Sequence, residues 1–215
     1  MLAGADLPPG AWPWLHDLAR WVGTWLFRPL YRLRVHHDGR VPATGPVVLV
    51  ANHSAFVDGP LLFGLLRRRQ VFLIKDEMFT GVVGGALRRI GQLSVRRGVP
   101  DRAPLMAAVA ILEAGGVIGV FPEGTRGGGG EVEAAQHGAA WLARNTGAAV
   151  VPVVCRGTRR ASGKRRFRPR VDVLVGEPMV IPGGGGRTGL TAATETVRAT
   201  LAGMVRELDE LRSRS

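Results

Sequence analysis

The sequence predicts an α/β fold: a mainly parallel mixed sheet flanked by helices on both faces, with an N-terminal amphipathic helical segment. Three observations predict it. Short β-branched runs such as Val47–Ala51 and Val117–Phe121 alternate along the chain with helical patterns. Those runs are apolar at nearly every position, as strands covered on both faces are. A chain of 215 residues, 46% hydrophobic and 21% charged, can bury one sizeable core and is too apolar to be disordered.

Taken in order, residues 1–10 read as an irregular start. From Trp12 to Arg34, Trp14, Leu18, Trp21, Val22, Trp25, Leu26, Leu30 and Leu33 recur at three- and four-residue spacing, which predicts an amphipathic helix with a bend at Pro29. Four of the five tryptophans lie here, interleaved with Arg20, Arg28, Arg32 and Arg34. Indole beside guanidinium suits a lipid headgroup boundary, although amphipathicity alone equally allows a helix docked on the domain. A short strand is expected near Arg34–His37, a turn at Asp38-Gly39 and a buried strand at Val47–Ala51. Asp58-Gly59-Pro60 reads as a helix start with Asp at the cap and Pro in the first turn, the helix running to Arg69.

Strands follow at Val71–Lys75, Leu93–Val95, Val117–Phe121, Ala149–Cys155 and Val171–Val175, with helices over Glu77–Arg89, Ala103–Ala114, Glu131–Asn145 and Leu190–Leu211. Pro152, inside the apolar run Val150–Val154, suggests a strand end or edge. The tracts Gly127–Gly130 and Gly183–Gly186 read as mobile surface loops. No internal repeat is evident, and no boundary stands out within residues 35–215.

The charge narrows the partners. Twenty-nine basic against 17 acidic residues leave +12, almost all of it arginine, since Lys75 and Lys164 are the lysines. Arginine bias of this kind partly reflects genomic composition, but its sign favours anionic partners. Arg156–Arg170 concentrates it, with eight basic residues in fifteen and no carboxylate. That stretch suits lipid headgroups, coenzyme A phosphates or an acidic carrier protein, or else is a solvated basic loop. A nucleic-acid-binding role finds little further support, because the aromatic residues cluster in the first helix, with Phe167 alone among these arginines. The single Cys155 allows no intramolecular disulfide and sits in an apolar run, where a core role is expected. No uncharged apolar span reaches eighteen residues, and no signal peptide is evident, so a cytoplasmic protein held on a surface is expected.

Four segments carry chemistry. In Asn52-His53-Ser54-Ala55-Phe56-Val57-Asp58 a histidine and a carboxylate stand on a strand-to-helix turn, where α/β proteins place working side chains. Alone, the pair also reads as a turn residue and a cap. Phe121-Pro122-Glu123-Gly124-Thr125-Arg126 follows a strand and so stands at the same sheet edge; Glu123 and Arg126 could equally be a solvated ion pair. Gly91–Gly98 carries the paired Arg96 and Arg97, a phosphate holder or a basic turn. Val151-Pro152-Val153 shapes a wall. No Cys/His cluster suggests a metal, and no P-loop is present.

Together these blocks resemble the 1-acyl-glycerol-3-phosphate acyltransferases, the lysophospholipid acyltransferase family. Its motifs Asn-His-x4-Asp, Gly-x5-Arg, Phe-Pro-Glu-Gly-Thr-Arg and Val-Pro-Val fall at Asn52–Asp58, Gly91–Arg97, Phe121–Arg126 and Val151–Val153, in the family's order. Two departures bear on the acceptor: Arg96 stands where members often have an acidic residue, and Gln136 or His137 where they often have lysine. The resemblance implies an acyltransferase domain over residues 35–215 behind an N-terminal, membrane-associating segment, 1–34. It implies acyl transfer from a thioester to the free hydroxyl of a lysophospholipid, with 1-acyl-glycerol 3-phosphate giving phosphatidic acid. His53 is then the general base and Asp58 its orienter. Arg97 and Arg126 take the acceptor's phosphate, while Glu123, Gly124 and Thr125 complete substrate binding. Glycerol 3-phosphate and other lyso-lipids remain alternative acceptors. The donor is acyl-coenzyme A or an acyl-carrier protein, and no cofactor or metal is called for. The resemblance places the enzyme peripherally or monotopically on the cytoplasmic face of the cell membrane, against an anionic surface and without nucleic acid.

Overall fold

Strand β2 (Val47–Ala51) is the centre of the sheet, with all five residues buried. It lies between two parallel neighbours, β5 (Val117–Val120) and β6 (Ala149–Arg156), with Val47 opposite Val117 on one side and Ala149 on the other. Beyond β5 come β3 (Val71–Lys75) and β4 (Leu93–Val95), both parallel. Beyond β6 the direction reverses: β7 (Arg170–Val175) pairs antiparallel with β6, and β1 (Arg32–His36) pairs parallel with β7. Among the described residues seven strands, in the order β1-β7-β6-β2-β5-β3-β4, form the mainly parallel mixed sheet that the sequence predicts.

The computed structural model describes residues 6–96, 102–121, 129–159, 167–184 and 186–214, and over 129–136 it describes the backbone alone. Among the described residues six α-helices accompany the sheet: α1 (Pro13–Leu30), α2 (Asp58–Leu65), α3 (Gly81–Arg89), α4 (Ala103–Glu113), α5 (Gly129–Thr146) and α6 (Gly186–Ser213). The two-residue period of each strand divides the core into two layers. Val47, Leu49 and Ala51 pack with Leu61, Leu62 and Phe72 beneath α1 and α2. Val48 and Val50 pack with Ile111, Leu112, Leu142 and Leu201 beneath α4, α5 and α6. Each fully buried leucine contributes about 1.5–3 kcal/mol relative to an exposed one.

Helix α1 is docked on the domain by one face. Gly23 and Gly64 let α1 and α2 approach so closely that a Cβ on Gly64 would lie 2.8 Å from the Thr24 nitrogen. The Thr24 hydroxyl donates to the Gly64 carbonyl at 2.5 Å, and the Arg20 guanidinium donates to the Phe63 and Leu66 carbonyls at the end of α2, where a cation is favoured. His16, fully buried, donates from Nδ1 to the Ile90 carbonyl at 2.6 Å, and Phe27 is buried in the core beneath α2. The opposite face leaves Trp14, Trp21 and Trp25 more than half exposed. Docking and an exposed tryptophan face thus coexist, where the sequence offered them as alternatives.

Several boundaries differ from expectation. α1 ends at Leu30, with Pro29 in its last turn, and β1 begins at Arg32, because Arg32 already pairs with Arg170. α2 stops at Leu65, before Arg69. Asp76–Met78 forms a 3-10 turn, so α3 starts at Gly81 and not at Glu77. α6 is longer than its apolar stripe at both ends, starting at Gly186, the last residue of the second glycine tract; Gly129 and Gly130 likewise open α5. Pro152 lies inside a central strand, not at an end or edge. Val150, two residues before it, exchanges hydrogen bonds with Met179, whereas Ala149 donates to Pro46 on the β2 side. By that alternation the missing N–H of Pro152 faces the far side, where the β7 ladder stops at Val175, so little pairing is forfeited.

Candidate active site

The carboxyl ends of β2, β5 and β6 meet at one edge of the sheet, and β2 leaves it through Asn52 and His53 into the turn before α2. Asn52 is buried and bridges to the neighbouring strand. Its Oδ1 accepts the Cys155 N–H at 2.7 Å, and its Nδ2 donates to the Cys155 carbonyl at 3.1 Å and to the Ser54 hydroxyl at 3.3 Å. The side chain thus continues the β2–β6 ladder one residue past the strand and fixes where the next residue, His53, leaves the sheet.

Asp58 is the first residue of α2 and its side chain is wholly buried. It does not cap the helix in the expected way: Val57 holds the cap position, and the Asp58 carboxylate turns back on the preceding turn. Oδ2 accepts the Ser54 N–H at 2.6 Å and the Ala55 N–H at 2.7 Å. Two charge-assisted hydrogen bonds and the amino end of a helix stabilise its negative charge. The same oxygen lies 3.6 Å from His53 Nδ1. That separation is an ion-pair contact and too long for a hydrogen bond. Both His53 Nδ1 and the second carboxylate oxygen, Asp58 Oδ1, are buried and without a hydrogen-bond partner.

Packing supplies the orientation that this contact lacks. The Phe121 ring, just past β5, lies against the His53 imidazole with centroids 4.7 Å apart. Phe72 of β3 stacks on Phe121 at 5.4 Å, its plane turned by only 13°. Gly119 makes room for this stack, because a Cβ there would overlap the Phe72 ring. Although Nδ1 is buried, the His53 side chain as a whole is 30% exposed, so part of the ring meets the open side of the site.

Cys155 is the other nucleophilic group near the pair. Burial, reinforced by the Asp58 charge, pushes its thiol well above the ordinary value, so it remains protonated and inaccessible. This is the core role expected from the sequence. Among the described residues no group of three His, Cys, Asp or Glu side chains gathers to hold a metal ion.

Of the predicted site residues, the structure brings His53 and Asp58 together and adds Phe121, the first residue of its block, to the histidine. Arg97, Glu123, Gly124, Thr125 and Arg126 lie outside the described residues. The neighbouring Arg96 stands 3.6 Å from Asp76, whose other oxygen accepts the Ser94 hydroxyl at 2.5 Å. Asn52 was visible as part of its motif but not as a bridge, since its partner is 103 residues away.

The comparisons with known proteins bear on the family and the fold. A family model described as Acyltransferase matches residues 32–156, which spans β1 to the end of β6. The chain is 27% identical over 188 residues to a 1-acyl-sn-glycerol-3-phosphate acyltransferase of Bacillus subtilis, covering 83% of this chain and 91% of that protein. It is 30% identical over 191 residues to the alpha form of the same enzyme type from Mus musculus, covering 83% of this chain and 66% of the mouse protein. The crystal structure of the 1-acyl-sn-glycerophosphate (LPA) acyltransferase PlsC from Thermotoga maritima superposes with a TM-score of 0.70 at 26% identity, over 90% of this chain and 79% of that one. This chain belongs to the acyltransferase family.

Proposed function

We propose that this enzyme transfers a fatty acyl group from a thioester to the free hydroxyl of 1-acyl-glycerol 3-phosphate, giving phosphatidic acid. The observation that carries this reading is the pairing of His53 with a buried Asp58 at the carboxyl edge of the sheet, in a chain similar to named 1-acyl-sn-glycerol-3-phosphate acyltransferases.

An alcohol is a poor nucleophile until its proton is removed. His53 Nε2 takes that proton as the hydroxyl oxygen bonds to the thioester carbon, while Asp58 keeps the other ring proton on Nδ1 and stabilises the imidazolium. The tetrahedral intermediate collapses with loss of the carbon–sulfur bond, and His53 returns the proton to the departing thiolate. The substrate hydroxyl occupies the place that serine holds in a hydrolase triad, so the acyl group passes directly between substrates. The buried, protonated Cys155 fits such a route. In this reading Arg97 and Arg126 hold the acceptor's phosphate and Glu123 orients Arg126 or the glycerol hydroxyls. Gly124 and Thr125 belong to the same substrate-binding turn, with backbone N–H groups there as candidate oxyanion donors.

The exposed tryptophan face of α1 supports peripheral attachment to an anionic membrane surface, on the side where the thioester donor is made. No helix among the described residues is long and apolar enough to cross a membrane. The test is incubation with a labelled acyl-coenzyme A or acyl-carrier protein and a panel of acceptors: 1-acyl-glycerol 3-phosphate, glycerol 3-phosphate and neutral or zwitterionic lyso-lipids. Phosphatidic acid as the main product supports the reading; preferential acylation of another acceptor overturns its substrate, and no acyl transfer to any overturns the reaction.

A further inference from the structure

One ion pair at the carboxyl edge of the sheet has no part in the chemistry so far proposed. Arg96 Nε, just past β4, lies 3.6 Å from Asp76 Oδ2, just past β3, and the other Asp76 oxygen accepts the Ser94 hydroxyl at 2.5 Å. The strand registers set this pair level with His53. Leu49, Gly119 and Phe72 lie in one row across β2, β5 and β3, and Leu93 pairs with Leu73 one row further on. His53, Asp76 and Arg96 each come four residues beyond that first row. An even step returns them to the face of Leu49 and Phe72, the face on which His53 meets Phe121. Because β4 is the third strand from β2, the Arg96 backbone stands about 14 Å from that of His53 along the edge. A glycerol 3-phosphate headgroup with its hydroxyl at His53 spans part of that distance and an arginine side chain the rest.

The contact is loose enough to be exchanged. Arg96 is 67% exposed and Asp76 48%, and their separation is an ion pair without a hydrogen bond. Exposed pairs of this kind contribute little to stability. A phosphate monoester carries a charge of about −1.5 to −2 and three acceptor oxygens, and it can take a guanidinium through two N–H groups at once. It therefore outcompetes a single carboxylate for Arg96. Arg96 is also where this chain departs from its family's common acidic residue, so the family pattern does not supply the role. We infer that Arg96 is a specificity-determining residue that binds the acceptor's phosphate, and that Asp76 competes with the phosphate for it. The inference rests on the proposed phosphate-bearing acceptor. It adds to Arg97 and Arg126 a cation whose availability the protein itself limits.

The test compares the parent chain with Arg96→Gln and Asp76→Asn, using acyl-coenzyme A and detergent-dispersed 1-acyl-glycerol 3-phosphate. Both positions are at least half-open to solvent, and Asn still accepts the Ser94 hydroxyl through its amide oxygen, so the fold is retained. Arg96→Gln should raise the acceptor KM roughly three- to tenfold relative to the KM of acyl-coenzyme A. Asp76→Asn should lower the acceptor KM by about twofold or more, because Arg96 loses its competing partner. The opposite signs separate competition from scaffolding, since an Asp76 that merely holds β4 would raise KM when neutralised. An unchanged acceptor KM in Arg96→Gln, or an unchanged or raised one in Asp76→Asn, would overturn the inference. A shift in the acyl-coenzyme A KM instead would assign Arg96 to the donor and overturn it too. A parent that prefers an acceptor without phosphate would overturn the proposed substrate itself, a result seen before any variant is compared.

Discussion

His53 Nδ1 faces Asp58 Oδ2 across 3.6 Å, and that oxygen already accepts the N–H groups of Ser54 and Ala55. The carboxylate therefore has two tasks: it shapes the turn that carries the histidine, and it offers the histidine a negative partner. Asp58→Asn separates them. An amide with its oxygen in the place of Oδ2 can still accept the turn's N–H groups, but it brings no negative charge to hold the Nδ1 proton or to stabilise the imidazolium formed as His53 takes a proton. The expected outcome is a fall in kcat of roughly 10²–10⁴-fold with little change in melting temperature. An Asn variant with near-normal kcat would show that Asp58 serves the turn alone.

The stack of Phe72, Phe121 and His53 predicts that ring packing orients the His53 imidazole. Phe121→Leu keeps an apolar side chain but loses the flat surface. It should lower kcat by up to about tenfold, the equivalent of an aromatic pair worth roughly 0.5–1.5 kcal/mol. Gly119→Ala pushes on the stack from behind and should cost about 1–3 kcal/mol of stability by overpacking. Steady-state kinetics and thermal melting check the two together; unchanged kcat in the Leu variant would assign the orientation to Asp58.

His16 makes folding stability depend on pH. Burial, the largest influence, pushes its imidazole below the ordinary value, and the nearby Arg20 and Arg69 add to that, against the Ile90 hydrogen bond and Asp17. The unfolded chain therefore binds a proton at a pH where the folded one does not, and stability rises with pH across that interval. The contribution is complete above the unfolded value of about 6.5 and is lost as pH falls from there towards the depressed folded value. Melting temperature should drop more steeply between pH 7 and 5 for the parent than for His16→Gln; parallel curves would contradict this.

Burial also predicts that Cys155 takes no part in transfer. A thiol reagent should leave the folded protein unmodified and react after denaturation. Cys155→Ala should keep kcat within a few-fold while losing about 1 kcal/mol of stability, the order of one buried methylene-sized group. Loss of activity without loss of fold, together with a trapped acyl-protein in the parent, would point to a covalent route.

Because α1 closes part of the core through Phe27 and Gly23, deleting it would confound attachment with unfolding. Trp21→Glu and Trp25→Glu change only its outer face. They should weaken co-sedimentation with anionic vesicles without altering the melting temperature; unchanged co-sedimentation would remove this face as an anchor.

Much of the fold was legible because it is written in local patterns. Val47–Ala51, Val71–Lys75 and Leu93–Val95 fall at the residues expected, since short apolar runs between turn signals have few other readings. The reversal at β7 was not legible, because pairing direction depends on contacts far apart in the chain. Nor was the docking of α1: an amphipathic stripe shows that one side is apolar, whereas the face that packs here uses Gly23, Thr24 and Arg20, residues that a hydrophobic pattern ignores. In the site, His53 and Asp58 were found by motif, yet the turn that joins them depends on backbone N–H groups, and the bridge from Asn52 on a strand 103 residues away. The resemblance supplied the reaction; the geometry shows how His53 is held.

The central claim, that His53 removes the acceptor's proton, is tested most directly by the rate of acyl transfer to 1-acyl-glycerol 3-phosphate in His53→Ala, measured beside its thermal melt. His53 is partly exposed and outside both core layers, so the variant should melt like the parent and lose transfer by roughly 10²–10⁴-fold. A folded His53→Ala protein retaining more than about a tenth of the parent rate would contradict the claim.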